Sequence, residues 1–87
     1  MTKEKFKQLV DKGEKVYLYF FSPFCGGCEL TTPLLVKSKY EVFEINGLDN
    51  EELMDALAIE TYPTIVELQN KTIRKFEGRD AITNLLS

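Results

Sequence analysis

Residues 16–28 read VYLYFFSPFCGGC, an apolar run that leads into the only two cysteines of the chain, Cys25 and Cys28. Because Val16–Phe21 contains only aromatic and aliphatic side chains, it predicts a strand covered on both faces. Helical spacing of apolar residues begins directly after it. A cysteine at the start of a helix meets unpaired amides and the positive end of the helix dipole, which favour the thiolate. Cys28, one turn deeper, can then displace a partner from Cys25, so the pattern predicts dithiol–disulfide exchange.

The composition indicates a small globular protein. The chain has 87 residues, 44% of them hydrophobic, which is enough for the core of one domain spanning residues 1–87. A formal net charge of −3 argues against nucleic acid as a partner. No apolar run approaches the ~20 residues that cross a bilayer, and the first residues, MTKEKFK, lack the apolar core of a signal peptide. We therefore expect a cytoplasmic monomer, in which a cysteine pair is more often catalytic or metal-binding than structural.

The rest of the chain predicts the order α-β-α-β-α-β-β-α. The predicted helices cover residues 2–12, 26–39, 51–58 and a final segment after Gly78, and the predicted strands cover residues 16–21, 41–46, 64–68 and 72–77. Pro33 is expected to bend the second helix, and Asp49 or Asn50 and then Asp80 are expected to cap the last two helices. The β-α-β unit requires a parallel strand pair, and a turn at residues 69–71 adds an antiparallel hairpin.

This order, the C-x-x-C motif and the tripeptide Tyr62-Pro63-Thr64 together resemble the thioredoxin family over nearly the whole chain. Pro33, five residues after the second cysteine, fits the same pattern. The resemblance implies an α/β, thioredoxin-like fold with a four-stranded mixed sheet and helices on both faces. It also implies that no cofactor is needed beyond the redox-active cysteine pair.

The resemblance also implies a substrate-binding surface around the two cysteines. The peptide bond before Pro63 is expected to be cis and to lie against the dithiol. The backbone of Tyr62 is expected to pair with the substrate chain, as in β-augmentation. Gly78 leaves a groove open beside the site, and Phe24 and Gly26 flank the first cysteine. Two alternatives stay open, because a proline also suits the entry to a strand and an aromatic beside a groove can simply pack.

The sequence departs from the family pattern at three places. Phe24 stands where the family usually has Trp, and the dipeptide between the cysteines is Gly26-Gly27 rather than Gly-Pro or Pro-Tyr. Tyr19 stands where thioredoxins have a buried acid that helps to deprotonate the second thiol, and a phenol of pKa ~10 is a poor base near neutral pH. These differences affect the redox potential and the choice of partners.

One hypothesis supplies the missing base. Glu44 is expected on the strand beside Val16–Phe21, where it and the Tyr19 hydroxyl would form a partly buried pair that relays the proton of Cys28. The alternative is a solvated glutamate at a strand edge.

Several functions remain open at this point. The first is reduction of disulfide-containing protein substrates, with electrons from a flavin-containing reductase of the thioredoxin-reductase type. The second is a glutaredoxin-like reduction of glutathione mixed disulfides, for which Arg79 is the one nearby cation, because Lys37 and Lys39 fall at the far end of the second helix. The third is a non-catalytic module, or an iron–sulfur carrier shared between two chains. A zinc site needs about four ligands, and the chain has two cysteines and no histidine.

Overall fold

The computed structural model describes residues 1–86 and shows four strands in one mixed sheet with helices on both faces. The elements are α1 (Lys3–Lys12), β1 (Val16–Phe21), α2 (Gly26–Thr31), a 3₁₀ helix (Thr32–Lys37), β2 (Glu41–Asn46), a 3₁₀ turn (Gly47–Asp49), α3 (Glu51–Ala56), β3 (Thr64–Gln69), β4 (Thr72–Glu77) and α4 (Arg79–Leu86). The predicted order and the predicted thioredoxin-like architecture are confirmed.

The strand order β2-β1-β3-β4 brings two distant parts of the chain to the same end of the two interior strands. β1 is parallel to β2 and antiparallel to β3, and β4 is antiparallel to β3. Phe20 pairs with Thr64, so the end of β1 lies beside the start of β3. The cysteines follow β1 and Tyr62-Pro63 precedes β3, so this pairing places both segments at the same end of the sheet.

Side chains alternate along β1 between two cores. Val16, Leu18 and Phe20 pack with residues of α1 and α3 on one face. Tyr17 and Tyr19 pack with residues of α4 on the other face. The prediction of a strand covered on both faces is therefore confirmed, and β1 is packed on both sides up to the segment that carries the cysteines.

The boundaries of α1 and of the hairpin follow from local chemistry. The Thr2 hydroxyl accepts the Lys5 amide at 3.1 Å at the start of α1, and Gly13 ends the helix with φ 75°. In the hairpin, Asn70 and Lys71 have φ of 52° and 64°, as a two-residue type I′ turn requires. The turn is one residue shorter than predicted because Gln69 still belongs to β3.

Three predictions about helices are wrong in detail. The second helix is not one bent helix to residue 39: α2 ends at Thr31 and continues as a 3₁₀ helix, because Pro33 has no N–H for the α-helical ladder. α3 ends at Ala56 instead of residue 58, and Ala58 has φ 54°. Asp80 lies inside the first turn of α4, which begins at Arg79, and so does not cap it.

Asn50 stands at the N-cap position of α3, as one prediction had it, but its side chain makes no hydrogen bond to the amides of that helix. Its Nδ2 donates to the Asn46 carbonyl at 2.8 Å, and its Oδ1 accepts the N-terminal ammonium at 2.6 Å. The residue therefore ties the start of α1 to the end of β2. None of the helices within residues 1–86 has the length and apolarity to cross a membrane.

Candidate active site

Cys25 lies at the junction between β1 and α2. The chain leaves the sheet at Phe21 and turns through a hydrogen bond from the Cys25 amide to the Ser22 carbonyl at 3.1 Å. Cys25 is the N-cap of α2, with extended dihedrals of φ −98° and ψ 107°, and its carbonyl accepts the Cys28 amide at 3.2 Å. The amides of the first helical turn have no partners inside the helix, so they are donors close to the Cys25 side chain.

The two thiols have different surroundings. Cys25 is half-buried, whereas Cys28 is only 5% exposed. Burial above all, together with a hydrogen bond to Cys25 and the negative charge on Cys25, raises the pKa of Cys28 to about 11. A backbone hydrogen bond from Ser22 and one from the Tyr19 hydroxyl act in the opposite direction. Cys28 therefore holds its proton at neutral pH, and Cys25 is the more accessible of the two cysteines.

A cluster of hydroxyl groups lies behind Cys28. Tyr19 is fully buried, and its hydroxyl lies 2.6 Å from Thr31 Oγ1, 3.2 Å from Thr32 Oγ1 and 3.3 Å from the Cys28 carbonyl oxygen. Burial raises the pKa of Tyr19, so the phenol stays neutral and serves as a hydrogen-bond donor. At the position where thioredoxins have a buried acid, this chain thus has a neutral tyrosine that bonds to two threonine hydroxyls.

Glu44 does not belong to this cluster. Its Cα is opposite that of Tyr19 in the parallel pair, but β2 is an edge strand and the Glu44 side chain is exposed. The Tyr19 hydroxyl bonds found within residues 1–86 run to Thr31, Thr32 and Cys28. The predicted partly buried pair of Glu44 and Tyr19 is therefore wrong, whereas the placement of Tyr19 beside Cys28 agrees with the structure.

Pro63 lies against the segment between the cysteines. The Tyr62–Pro63 peptide bond is cis, and Pro63 is buried. A Cβ on Gly27 would lie 3.4 Å from Pro63 Cδ, so the proline ring and the backbone of Gly27 are in direct contact. The Gly78 amide donates to the Pro63 carbonyl at 2.9 Å, which fixes the proline from the side of β4 and α4.

Tyr62 is half-buried between the site and the neighbouring core. Burial raises the pKa of its hydroxyl, and negative charge on Cys28 and Cys25 raises it further. The Tyr62 ring packs against Gly47, where any Cβ would overlap the ring. Tyr62 therefore packs, as one alternative proposed, and it also lies close to the two cysteines.

Two open grooves flank the dithiol. One, of about 380 Å³, is lined by Gly27, Tyr62, Pro63, Glu77, Gly78, Arg79 and Asp80. The other, of about 390 Å³, is lined by Phe21, Ser22, Pro23, Cys25, Cys28, Glu29, Thr32 and Pro33. Gly78 thus borders a groove as expected, and its φ of 89° requires a residue without a side chain.

An exposed apolar side chain marks the outer end of the site. Phe24, directly before Cys25, is 88% exposed, and Gly26, directly after it, is exposed too. A phenyl ring that is exposed to water one residue from Cys25 is accessible to a binding partner. Phe24 and Gly26 flank Cys25 along the chain, and Tyr62, Pro63 and Gly78 line a groove with Gly27. Their role in binding a substrate stays a prediction.

Sequence reasoning missed Thr31 and Thr32. They stand three and four residues after Cys28, the spacing that brings side chains back over the preceding helical turn. The sequence shows this spacing, but it does not show the packing of β1 against α2 that brings Tyr19 to the two threonines. Among residues 1–86, no group of three or more His, Cys, Asp or Glu side chains is arranged to hold a metal ion.

In this mixed sheet an interior strand leads into a C-x-x-C pair, and the proline just before the neighbouring strand lies next to that pair. These features define a thioredoxin-like protein with a dithiol site. The family model described as Thioredoxin matches residues 1–87, and the chain belongs to the thioredoxin family.

Several known proteins are similar to this chain. A protein disulfide-isomerase of Drosophila melanogaster is 29% identical over 86 residues, which cover 88% of this chain. The chain spans only 17% of the length of that relative. Thioredoxin f2 of Chlamydomonas reinhardtii is 28% identical and has a TM-score of 0.79, covering 99% of this chain and 90% of its own. The thioredoxin of Trypanosoma brucei brucei shares the fold with a TM-score of 0.85 at 15% identity, covering 98% of this chain and 80% of its own.

Proposed function

We propose that this protein is a thiol–disulfide oxidoreductase that reduces disulfide bonds in protein substrates through Cys25 and Cys28. The observation that carries the proposal is the asymmetry of the pair. Cys25 is accessible at a helix N-terminus, while Cys28 is buried and keeps its proton. A dithiol with one accessible nucleophile and one reserved thiol suits a two-step exchange.

In the first step, the Cys25 thiolate attacks one sulfur of the substrate disulfide. A bond forms between Cys25 Sγ and that sulfur, the substrate S–S bond breaks, and the second substrate sulfur leaves as a thiolate that takes up a proton. The Cys28 thiol supports the attacking thiolate through the hydrogen bond between the two cysteines, the same bond that raises the pKa of Cys28.

Formation of the mixed disulfide prepares the second step. Once Cys25 is bound to substrate it carries no charge, so both contributions of Cys25 that raise the pKa of Cys28 disappear. The bonds from Ser22 and Tyr19 that favour the thiolate remain. Cys28 then loses its proton and attacks Cys25 Sγ. The intramolecular disulfide forms, and the first substrate sulfur leaves as a thiolate and is protonated.

The groove beside Pro63 suits a polypeptide better than glutathione. Tyr62, the residue before the proline, lines this groove, and its backbone would pair with an extended chain by β-augmentation. Glu77, Asp80 and Arg79 line this groove, and Arg79 Nε lies 3.8 Å from an Asp80 carboxylate oxygen. Two carboxylates against one paired guanidinium disfavour a ligand with two carboxylates of its own.

A complete cycle needs two electrons and two protons to restore the dithiol. We propose a flavin-containing reductase of the thioredoxin-reductase type as the donor, with low-molecular-weight thiols as the simpler substitute. The name of the Drosophila relative raises the reverse direction, in which the oxidised pair donates its disulfide to a substrate. The same two sulfurs serve both directions, and the reduction potential of the couple decides between them.

The test is turnover of a disulfide-bonded protein. Insulin with dithiothreitol as reductant is expected to be reduced much faster with the wild-type protein than with dithiothreitol alone. Cys25→Ser is expected to abolish the acceleration. Cys28→Ser, incubated with insulin before any dithiothreitol is added, is expected to accumulate a covalent adduct with substrate that dithiothreitol then releases. Acceleration that survives Cys25→Ser, or an inert wild-type protein, would refute the proposal.

A further inference from the structure

Ser22 holds the segment between β1 and α2 through two hydrogen bonds. Its backbone carbonyl accepts the Cys25 amide at 3.1 Å, which closes a β-turn over residues 22–25. Its side-chain Oγ accepts the Phe24 amide at 3.2 Å inside the same turn. Serine in the first position and proline in the second are residues that the commonest β-turn prefers, and Ser22-Pro23 supplies both.

The two bonds act on different residues. The carbonyl bond fixes the backbone at Cys25, and every residue type at position 22 keeps that carbonyl. The hydroxyl bond fixes the amide of Phe24 and is lost when the serine side chain is shortened. Ser22 is only 7% exposed, so its hydroxyl is packed in place, whereas the Phe24 ring is almost fully exposed. A buried side chain therefore restrains the backbone that carries an exposed aromatic ring.

We propose that Ser22 is a positioning residue for substrate binding: its hydroxyl holds the Phe24 amide and so presents the Phe24 ring to a protein substrate beside Cys25. This inference rests on the proposed function, because it concerns how the substrate is held during the exchange. A ring on an unrestrained loop has to be ordered when the substrate binds, and that ordering opposes binding. The Ser22 hydroxyl orders the backbone at Phe24 in advance, so the cost of ordering on binding is smaller.

The expected size of the effect follows from one neutral hydrogen bond. Such a bond shifts the equilibrium between the ordered and the open turn by about two- to ten-fold. Apparent affinity falls in proportion to the fraction of molecules that keeps the binding-competent conformation. Loss of the hydroxyl is therefore expected to raise KM for insulin while kcat stays unchanged, because the carbonyl bond to Cys25 remains.

The chain contains a matched control for this bond. Ser38 and Tyr40 repeat the pattern of a serine two residues before an aromatic residue, and Ser38 Oγ accepts the Tyr40 amide at 3.1 Å. This second bond lies just before β2. Because β1 and β2 are parallel, the start of β2 and the segment after β1 lie at opposite ends of the sheet. Ser38→Ala therefore removes the same kind of bond at the end away from the dithiol.

The experiment measures insulin reduction by the full chain carrying Ser22→Ala. KM for insulin is expected to rise by about two- to five-fold, while kcat and the rate of Cys25 alkylation by iodoacetamide stay unchanged. Ser22→Thr keeps the hydroxyl and is expected to restore KM, and Ser38→Ala is expected to leave KM unchanged. Exchange of the Phe24 amide with solvent, followed by NMR, should become about two- to ten-fold faster in Ser22→Ala, because the amide loses its acceptor.

A double-mutant cycle with Phe24→Ser separates presentation of the ring from a general effect on the fold. Once the ring is gone, Ser22→Ala is expected to add nothing to KM, and this cycle also decides the matter if Ser22→Thr does not fold. An unchanged KM in Ser22→Ala, the same rise in the Phe24→Ser background, the same rise in Ser38→Ala, or slower Cys25 alkylation would overturn the inference and leave the proposed function standing. A wild-type protein that is inert towards insulin would overturn the proposed function, and the inference with it.

Discussion

Gly47→Ala tests the packing that holds Tyr62 at the site. A Cβ at position 47 would lie 2.6 Å from Tyr62 Cε1 and 2.7 Å from Cζ, and closer still to the hydroxyl oxygen, so the ring has to withdraw. Overpacking of this kind costs about 1–3 kcal/mol. Gly47 is buried, and the three atoms nearest to the added Cβ all belong to the far end of the Tyr62 side chain, so the ring is the part that moves.

Urea unfolding of two pairs of proteins isolates this contact. Gly47→Ala alone is expected to lose about 1–3 kcal/mol of unfolding free energy. In a Tyr62→Ala background the clash is gone, and the same change is expected to be neutral or to stabilise by up to about 1 kcal/mol, because alanine restricts the unfolded chain more than glycine. The displaced ring should also raise KM for insulin, while Cys25 alkylation by a small reagent stays unchanged. Equal effects of Gly47→Ala in both backgrounds would refute the reasoning.

Three further outcomes follow from the same structure. Gly13→Ala is expected to lower the free energy of unfolding by about 1 kcal/mol, because residue 13 has a φ of 75°. Gly26→Ala has open space for the added methyl group, so it should change the free energy obtained from thermal unfolding by less than about 0.5 kcal/mol. Phe24→Ser is expected to raise KM for insulin several-fold with little change in stability, because its ring is 88% exposed. The pKa of Cys28 is raised to about 11 in the folded protein, so its stabilising effect is complete below about pH 9 and is lost as the pH rises through 11. Urea unfolding of the reduced protein should show that the free energy of unfolding falls as the pH rises through this range, and the fall should be about 2–3 kcal/mol smaller in Cys28→Ala.

The sequence was most informative where one residue pattern has one structural solution. A six-residue run of aromatic and aliphatic side chains is short for a helix and rich in strand-forming residues, which favours a buried strand, and β1 has the predicted bounds. The order of elements then leaves few topologies, because a β-α-β unit requires a parallel pair. The position of the cysteines at the end of β1 follows from these two facts.

The sequence was least informative where neighbours in the sheet decide the outcome. Alternation assigns Glu44 to a face, but its exposure depends on β2 being an edge strand, which the sequence does not reveal. The change from α2 to a 3₁₀ helix depends on how Thr32 and Pro33 satisfy the backbone, and periodicity over six residues does not separate these helix types. The hydroxyl cluster could not be predicted, because it depends on how β1, which carries Tyr19, packs against α2, which carries Thr31.

Differential alkylation of the two thiols tests the central claim most directly. The reduced wild-type protein, treated at pH 7 with less than one equivalent of iodoacetamide and digested for mass spectrometry, should carry nearly all of the label on Cys25. Cys28 should react only after unfolding in urea or at high pH, because it is buried and keeps its proton. Equal labelling of Cys25 and Cys28 in the folded protein at pH 7 would contradict the account.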